Sequence, residues 1–276
     1  MALTNLRTLG LSGWFGLGIV IFFTAIGIFC PLLAPHDPAA INPAHSLAAP
    51  SLEYPLGTDN LGRCTLSRLL YGARLSFGTA AVAAIVISVI GVFVGAISGY
   101  YGGWLDGILM RVVDILLAFP SMIVALAIVG TLGAGIANAV LGLVCVWWVG
   151  YARIVRGMVL STRAQPYILA AHTIGASHRR ILRLHILPNV IAPVIVLVTL
   201  ELGQLILALA ALNFLGLGAQ PPTPELGSML NAGRPFLQTA PQLMLYPGLA
   251  IAFVVLGFNL LGDSLRDTLD PYLRRS

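Results

Sequence analysis

Between Asp114 and Arg153 the chain runs for 38 consecutive residues without a formal charge. A helix that crosses the hydrocarbon core of a bilayer needs about 20 mostly apolar residues, so this one interval is long enough for two crossings. The glycine-rich TLGAG at residues 131–135 divides it and predicts spans near 115–130 and 136–152. Other charge-free intervals repeat the pattern. One lies between Arg7 and Asp37 with its apolar centre over 14–33, and another lies between Arg74 and Asp106, centred on 75–98. A fifth span follows Pro188 over 190–212, and a sixth covers 243–261. The chain therefore reads as an all-α polytopic membrane protein with six transmembrane helices. The first span is too long for an ordinary signal core and is followed by five others, so it reads as a retained anchor.

Composition excludes several classes of function. Of the 276 residues, 58% are hydrophobic and 9% charged, where a soluble domain carries about a quarter of its residues as charges. All 15 basic side chains are Arg. Without lysine there is neither a Walker A lysine nor a Schiff-base nucleophile, so energy for any driven process has to enter through another chain. Cys30, Cys64 and Cys145 lie far apart without CxxC spacing, and His172, His178 and His185 match no metal-ligand pattern. No cofactor or metal site is expected on this chain. The formal charge of +5 comes from arginines scattered between apolar stretches, which is unlike a nucleic-acid module.

Sidedness follows from those arginines. With six spans both termini share a side, and the positive-inside rule selects it. A cytoplasmic N-terminus places Arg7, Arg111, Arg153, Arg156, Arg163, Arg179, Arg180, Arg183, Arg266, Arg274 and Arg275 inside, and leaves Arg63, Arg68, Arg74 and Arg234 outside. The loops at 34–74 and 218–242 then face outward and the loop at 153–189 faces the cytoplasm. The chain divides into an N-terminal anchor and external loop (1–74), a transmembrane core (75–262) and a cytoplasmic tail (263–276).

Several residues stand out against this frame. Gly91, Gly95 and Gly99, with Gly103 beyond, repeat at a spacing of four and predict a helix face that admits another backbone closely. Glu201 is the acidic residue that the spans place inside hydrocarbon, with Gln204 three residues on. An intramembrane carboxylate is costly unless paired, hydrated or protonated, so Glu201 and Gln204, with Asn213 as a weaker member, are candidates for a translocation path or for interhelical hydrogen bonds. In the external loop, Asp59 and Arg63 are spaced to fix the chain, and TLSRLLYGARL from Thr65 predicts a short helix on the membrane surface. The central loop, STRAQPYILAAHTIGASHRRILRLHILPNVIAP, is the most informative segment. Pro166 starts a short helix, Gly175 breaks it, and a second apolar and basic helix follows around 178–187. Arg179, Arg180 and Arg183 flank the apolar turn without an acidic residue nearby, which suits a docking surface better than a connector.

The segment LAAHTIGASHRRILRLHILPN, residues 169–189, resembles the ATPase-coupling loop of inner-membrane permeases of ATP-binding cassette importers. Ala170, Ala171, Gly175 and the ending Ile186, Leu187, Pro188 and Asn189 follow that pattern, and Ala176 lies within it. Leu169 stands where the family has Glu. PLGTDNLGR (55–63), SRLLYGARLS (67–76), NFLGLGAQPPTPELGSML (213–230) and GDSLRDTLDP (262–271) narrow the resemblance to peptide and nickel permeases of the DppC, OppC and NikC group. Cys64 and Leu226 depart from it, where Asp and Trp are common. The resemblance implies the type I importer permease fold and half of a translocation pathway. It also implies a homologous companion permease, two ATP-binding subunits that carry ATP and Mg, an extracytoplasmic substrate-binding protein, and a place in the bacterial inner membrane. A dipeptide or oligopeptide is the leading cargo and nickel or a metal chelate the alternative. A cation-coupled secondary transporter built on Glu201 is the alternative from another class, and no paired carboxylates, triad or metal motif supports an enzyme.

Overall fold

The computed structural model describes residues 10–269, in which ten α-helices carry almost all of the regular structure. Arg7, Arg274, Arg275 and the end of the carboxyl-terminal motif at 270–271 lie outside them. Helix α1 (Leu11–Leu33) is followed by a long loop and α2 (Thr65–Tyr101). Next come α3 (Gly103–Leu117), α4 (Ser121–Leu132) and α5 (Ile136–Arg163), then short helices α6 (Pro166–Thr173) and α7 (His178–Ile181). Helix α8 (Leu187–Phe214), the short α9 (Leu226–Gly233) and α10 (Gln242–Leu269) complete the bundle.

Five helical stretches are long and apolar enough to cross a membrane. They become six if α3 and α4, bent by 86° at their junction, count as one broken span. The sequence placed a single span over 115–130 and read through Pro120. A residue before proline is pushed out of the helical region, and the helix breaks between Leu117 and Ser121.

Two other expectations are corrected. The segment from Thr65 is no separate surface helix but the first turns of α2, 37 residues long, so residue 74 falls inside a helix. Nothing in TLSRLLYGARL breaks a helix, and Ser67, Arg68, Gly72 and Ala73 are buried against protein. The helix expected around 178–187 likewise does not end. Helix α7 passes through a π-turn at Leu182–Ile186 directly into α8. Pro188 lacks an N–H and crowds the carbonyl one turn back, and a widened turn just before it accommodates both effects.

The most extensive helix contact joins α2 to α5. A Cβ on Gly95 would lie 2.5 Å from the Ala152 carbonyl oxygen, and one on Gly99 would lie 2.9 Å from that of Arg156. A Cβ on Gly91 would meet the Tyr151 Cβ and lie 3.0 Å from the Trp148 carbonyl oxygen. The three glycines therefore form one continuous seam. Gly103 does not extend it. It begins α3, where Gly102 and Gly103 have φ of +67° and +61° and turn the chain.

Candidate coupling and translocation sites

The loop after α5 is built as a supported turn. Gly175 has φ +80°, and the Ala176 N–H donates to the Ala171 carbonyl at 3.0 Å, closing a Schellman-type end to α6. Ile168, Ala171, Ile181 and Ile186 are buried with Val155, Val159, Ala96 and Tyr100, so the underside of the turn is anchored on α2 and α5. The outer side is different. Ile174 is 85% exposed, Leu169 58%, and Ala170 and Pro188 are also exposed, with Ala176 and Leu187 half-buried. Arg179, Arg180 and Arg183 are exposed and have no ion-pair partner among the described residues. An apolar tip bordered by unpaired cations is what a docking surface needs: area for contact energy and charge for orientation.

Arg153 and Arg156, assigned from sequence to this loop, belong to α5 instead. Arg156 grips Asp106 through two hydrogen bonds of 2.6 Å, and Ser98 donates to the same carboxylate. Arg153 pairs with Asp114. These contacts fasten α3 to α5 and to the end of α2. The acids and their arginines are 39 to 50 residues apart in the chain, so no local spacing announced the pairing.

Within the bundle, Glu201 of α8 is half-buried and faces Tyr151 of α5, the residue that also meets Gly91. The buried Tyr151 hydroxyl has no partner in hydrogen-bonding geometry, so the two groups lie near one another without a formed bond. Gln204 is exposed and does not share this environment. Asn213 is buried and bonded locally. Its Nδ2 donates to the Leu209 carbonyl at 2.7 Å and its Oδ1 accepts from the Ala219 N–H at 2.6 Å, which fixes the turn after α8. Both ends of its amide are committed to that turn.

The opposite end of the bundle holds features that sequence reading ranked low or missed. Asp59 bonds Arg63 at 2.7 Å and lies 3.4 Å from Arg68, all three nearly buried, and Arg68 also donates to the Pro38 carbonyl. The expected loop-fixing role of Asp59 and Arg63 agrees with this geometry. Glu225 was not singled out, yet it is only 1% exposed. One carboxylate oxygen accepts from Ser76 of α2 at 2.6 Å and the other from the Ser228 N–H at 2.9 Å. Burial pushes its carboxyl above the usual range, opposed by these hydrogen bonds. An acid directly before a short helix, able to cap its first turn, was the available signal. Beside it, Thr223 and Pro224 join α2 and α5 in lining an apolar cleft of about 880 Å³ with Arg74 as its charged member. Among the described residues no group of three or more His, Cys, Asp or Glu is placed to hold a metal ion.

Comparison with known proteins agrees with the geometry. Residues 91–275 match the family described as binding-protein-dependent transport system inner membrane component, and residues 12–50 match the N-terminal transmembrane domain of oligopeptide transport permease C. The dipeptide transport system permease protein DppC of Alkalihalophilus pseudofirmus is 47% identical over 94% of this chain and 85% of its own length. DppC of Haemophilus influenzae is 41% identical over 94% and 90%, respectively. The glutathione transport system permease protein GsiD of Escherichia coli is 43% identical over 92% of this chain and 84% of its own.

Proposed function

Because the chain belongs to the family of binding-protein-dependent transport system inner membrane components, we propose that it forms one half of the translocation pathway of an importer whose cargo is a dipeptide or a similar small peptide. It is a multi-pass inner-membrane protein and a non-catalytic permease subunit. The other half would come from a homologous companion permease. Two ATP-binding subunits would supply ATP and Mg, and an extracytoplasmic binding protein would deliver cargo. Both termini face the cytoplasm on this reading, in keeping with the arginine bias. Residues 75–262 form the core of the permease, between the 1–74 segment and the 263–276 tail.

The observation that carries the coupling assignment is the two-sided turn at residues 169–183, buried on one side and apolar and basic on the other. Leu169, Ala170, Ala171, Gly175, Ala176, Arg179, Arg180, Arg183, Ile186, Leu187 and Pro188 make up the ATPase-docking segment. The exposed Leu169 replaces a carboxylate contact with apolar area. Glu201 is the candidate group on the cargo path, since an intramembrane carboxylate is retained where it faces a cavity or a partner.

Peptide cargo is favoured because the relatives reported above are named for dipeptides and glutathione. The nickel reading draws no support from them. The test is uptake into proteoliposomes that hold the complete complex with its binding protein, comparing labelled dipeptides, glutathione, nickel and chelated nickel with and without internal ATP. ATP-dependent accumulation of a peptide is expected. Selective nickel uptake would overturn the cargo assignment, and uptake without ATP would point to the cation-coupled alternative.

A further inference from the structure

The cytoplasmic loop reaches back to α2 at one residue from both of its arms. Tyr100, in the last turn of α2, is buried in the cluster that includes Val159, Ile168 and Ile181. Its hydroxyl shares a 2.9 Å hydrogen bond with Nδ1 of His178, the first residue of α7. Its backbone carbonyl, among the last of α2 and so without a partner inside the helix, accepts a 2.8 Å hydrogen bond from Arg163 at the end of α5. The Arg163 guanidinium also stands 6.0 Å from the Tyr100 ring centroid. Arg163 precedes the exposed turn and His178 follows it, so one residue of α2 is bonded on both sides of the tip formed by Leu169 and Ile174.

The two bonds differ in what they can transmit. Arg163 belongs to α5, which the glycine seam already joins to α2. His178 belongs to the far arm beyond Gly175, and its hydrogen bond to Tyr100 ties that arm to α2. Apolar packing against Ile181 is non-directional and tolerates sliding, whereas a hydrogen bond weakens steeply with distance and angle.

We propose that Tyr100 is a positioning residue for energy coupling: its hydroxyl, through His178, makes the last turn of α2 follow α7 when the loop is displaced. The proposal rests on the reading of this loop as the ATPase-docking element. Tyr100→Phe removes the hydroxyl and keeps the buried ring. In the complete complex in proteoliposomes, cargo uptake per ATP hydrolysed should fall about fivefold, the shift that one net intramolecular hydrogen bond supports, while the ATP-binding subunits copurify as in the wild type. His178→Ala should give a similar loss, and the double variant no greater one.

A lower melting temperature with an unchanged uptake-to-hydrolysis ratio would make the bond structural only and overturn the proposal. Losses that multiply in the double variant would overturn it too. Docking is read separately by crosslinking from Ile174→Cys, in a chain carrying Cys145→Ser, to an ATP-binding subunit. A crosslink with unchanged uptake per ATP refutes Tyr100 alone, and absence of the crosslink refutes the docking assignment and the route built on it.

Discussion

Adding a single methyl group at Gly95 tests the helix seam at the centre of the fold. The new Cβ would stand 2.5 Å from the Ala152 carbonyl oxygen, 2.8 Å from the Val155 Cβ and 3.0 Å from the Arg156 amide nitrogen. Ordinary contact begins at 3.4 Å, so the carbonyl has to retreat by about 0.9 Å. Two of the three obstacles are backbone atoms of α5 and cannot rotate away. The helices must separate, and separation also loosens Gly91 against Tyr151 and Gly99 against Val159. Overpacking of this kind costs about 1–3 kcal/mol. Gly78→Ala supplies the control in the same helix, because nothing lies within 4 Å of a Cβ there, and helix propensity alone favours that change by up to about 1 kcal/mol. Thermal unfolding of the full chain in detergent, followed by loss of monodisperse protein, should place Gly95→Ala clearly below wild type and Gly78→Ala at or above it. Equal melting of Gly95→Ala and wild type would refute close packing along this seam.

Two further perturbations address the ends of the bundle. Gly175→Val places a β-branched side chain at φ +80°, a conformation that costs such residues about 1–3 kcal/mol. ATP hydrolysis coupled to transport should drop severalfold while membrane insertion stays near wild type, and normal coupling would count against the docking turn. Glu225 carries a carboxyl whose value burial raises in the folded chain. The folded state therefore holds its proton more tightly than the unfolded one. The resulting stabilisation is complete below the ordinary carboxylate range and is lost as pH rises through the raised value. Glu225→Gln, which removes the titrating group and keeps an acceptor for the Ser228 N–H, should flatten that part of the melting-temperature profile; an unchanged profile would remove Glu225 as its source.

What was legible in the sequence was whatever depends on local chain order. Apolar length located the long helices, and Gly175 between two short apolar segments located the turn. The glycine spacing located the seam because a period of four is a property of one helix. Illegible features depend on distant partners. Arg68 reads as the polar end of a surface segment until Asp59 and the Pro38 carbonyl, 30 residues away, receive it. Arg153 and Arg156 read as loop charges because the acids that receive them, Asp114 and Asp106, lie 39 and 50 residues away in the chain. Glu225 was not legible because its bond to Ser76 spans 149 residues, although its capping of α9 is local. The break at Pro120 was locally written and was passed over, since the more conspicuous TLGAG offered a division nearby.

The placement of charge also explains why α2 can act as one body. A helix of 37 residues is about 55 Å long, well beyond the roughly 30 Å of hydrocarbon, so both of its ends project into polar surroundings. The end at Tyr100 is fixed by Arg163, His178 and the Ser98 contact to Asp106. The other end is fixed through Arg68 to Asp59 and through Ser76 to Glu225. Between them, Gly91, Gly95 and Gly99 bring α2 into close contact with α5 along the seam. Polar bonds at both ends and close packing between them tie α2 to its neighbours along its length. A loop that pulls on Tyr100 would therefore be felt at Ser76, beside the cleft bounded by Thr223 and Pro224.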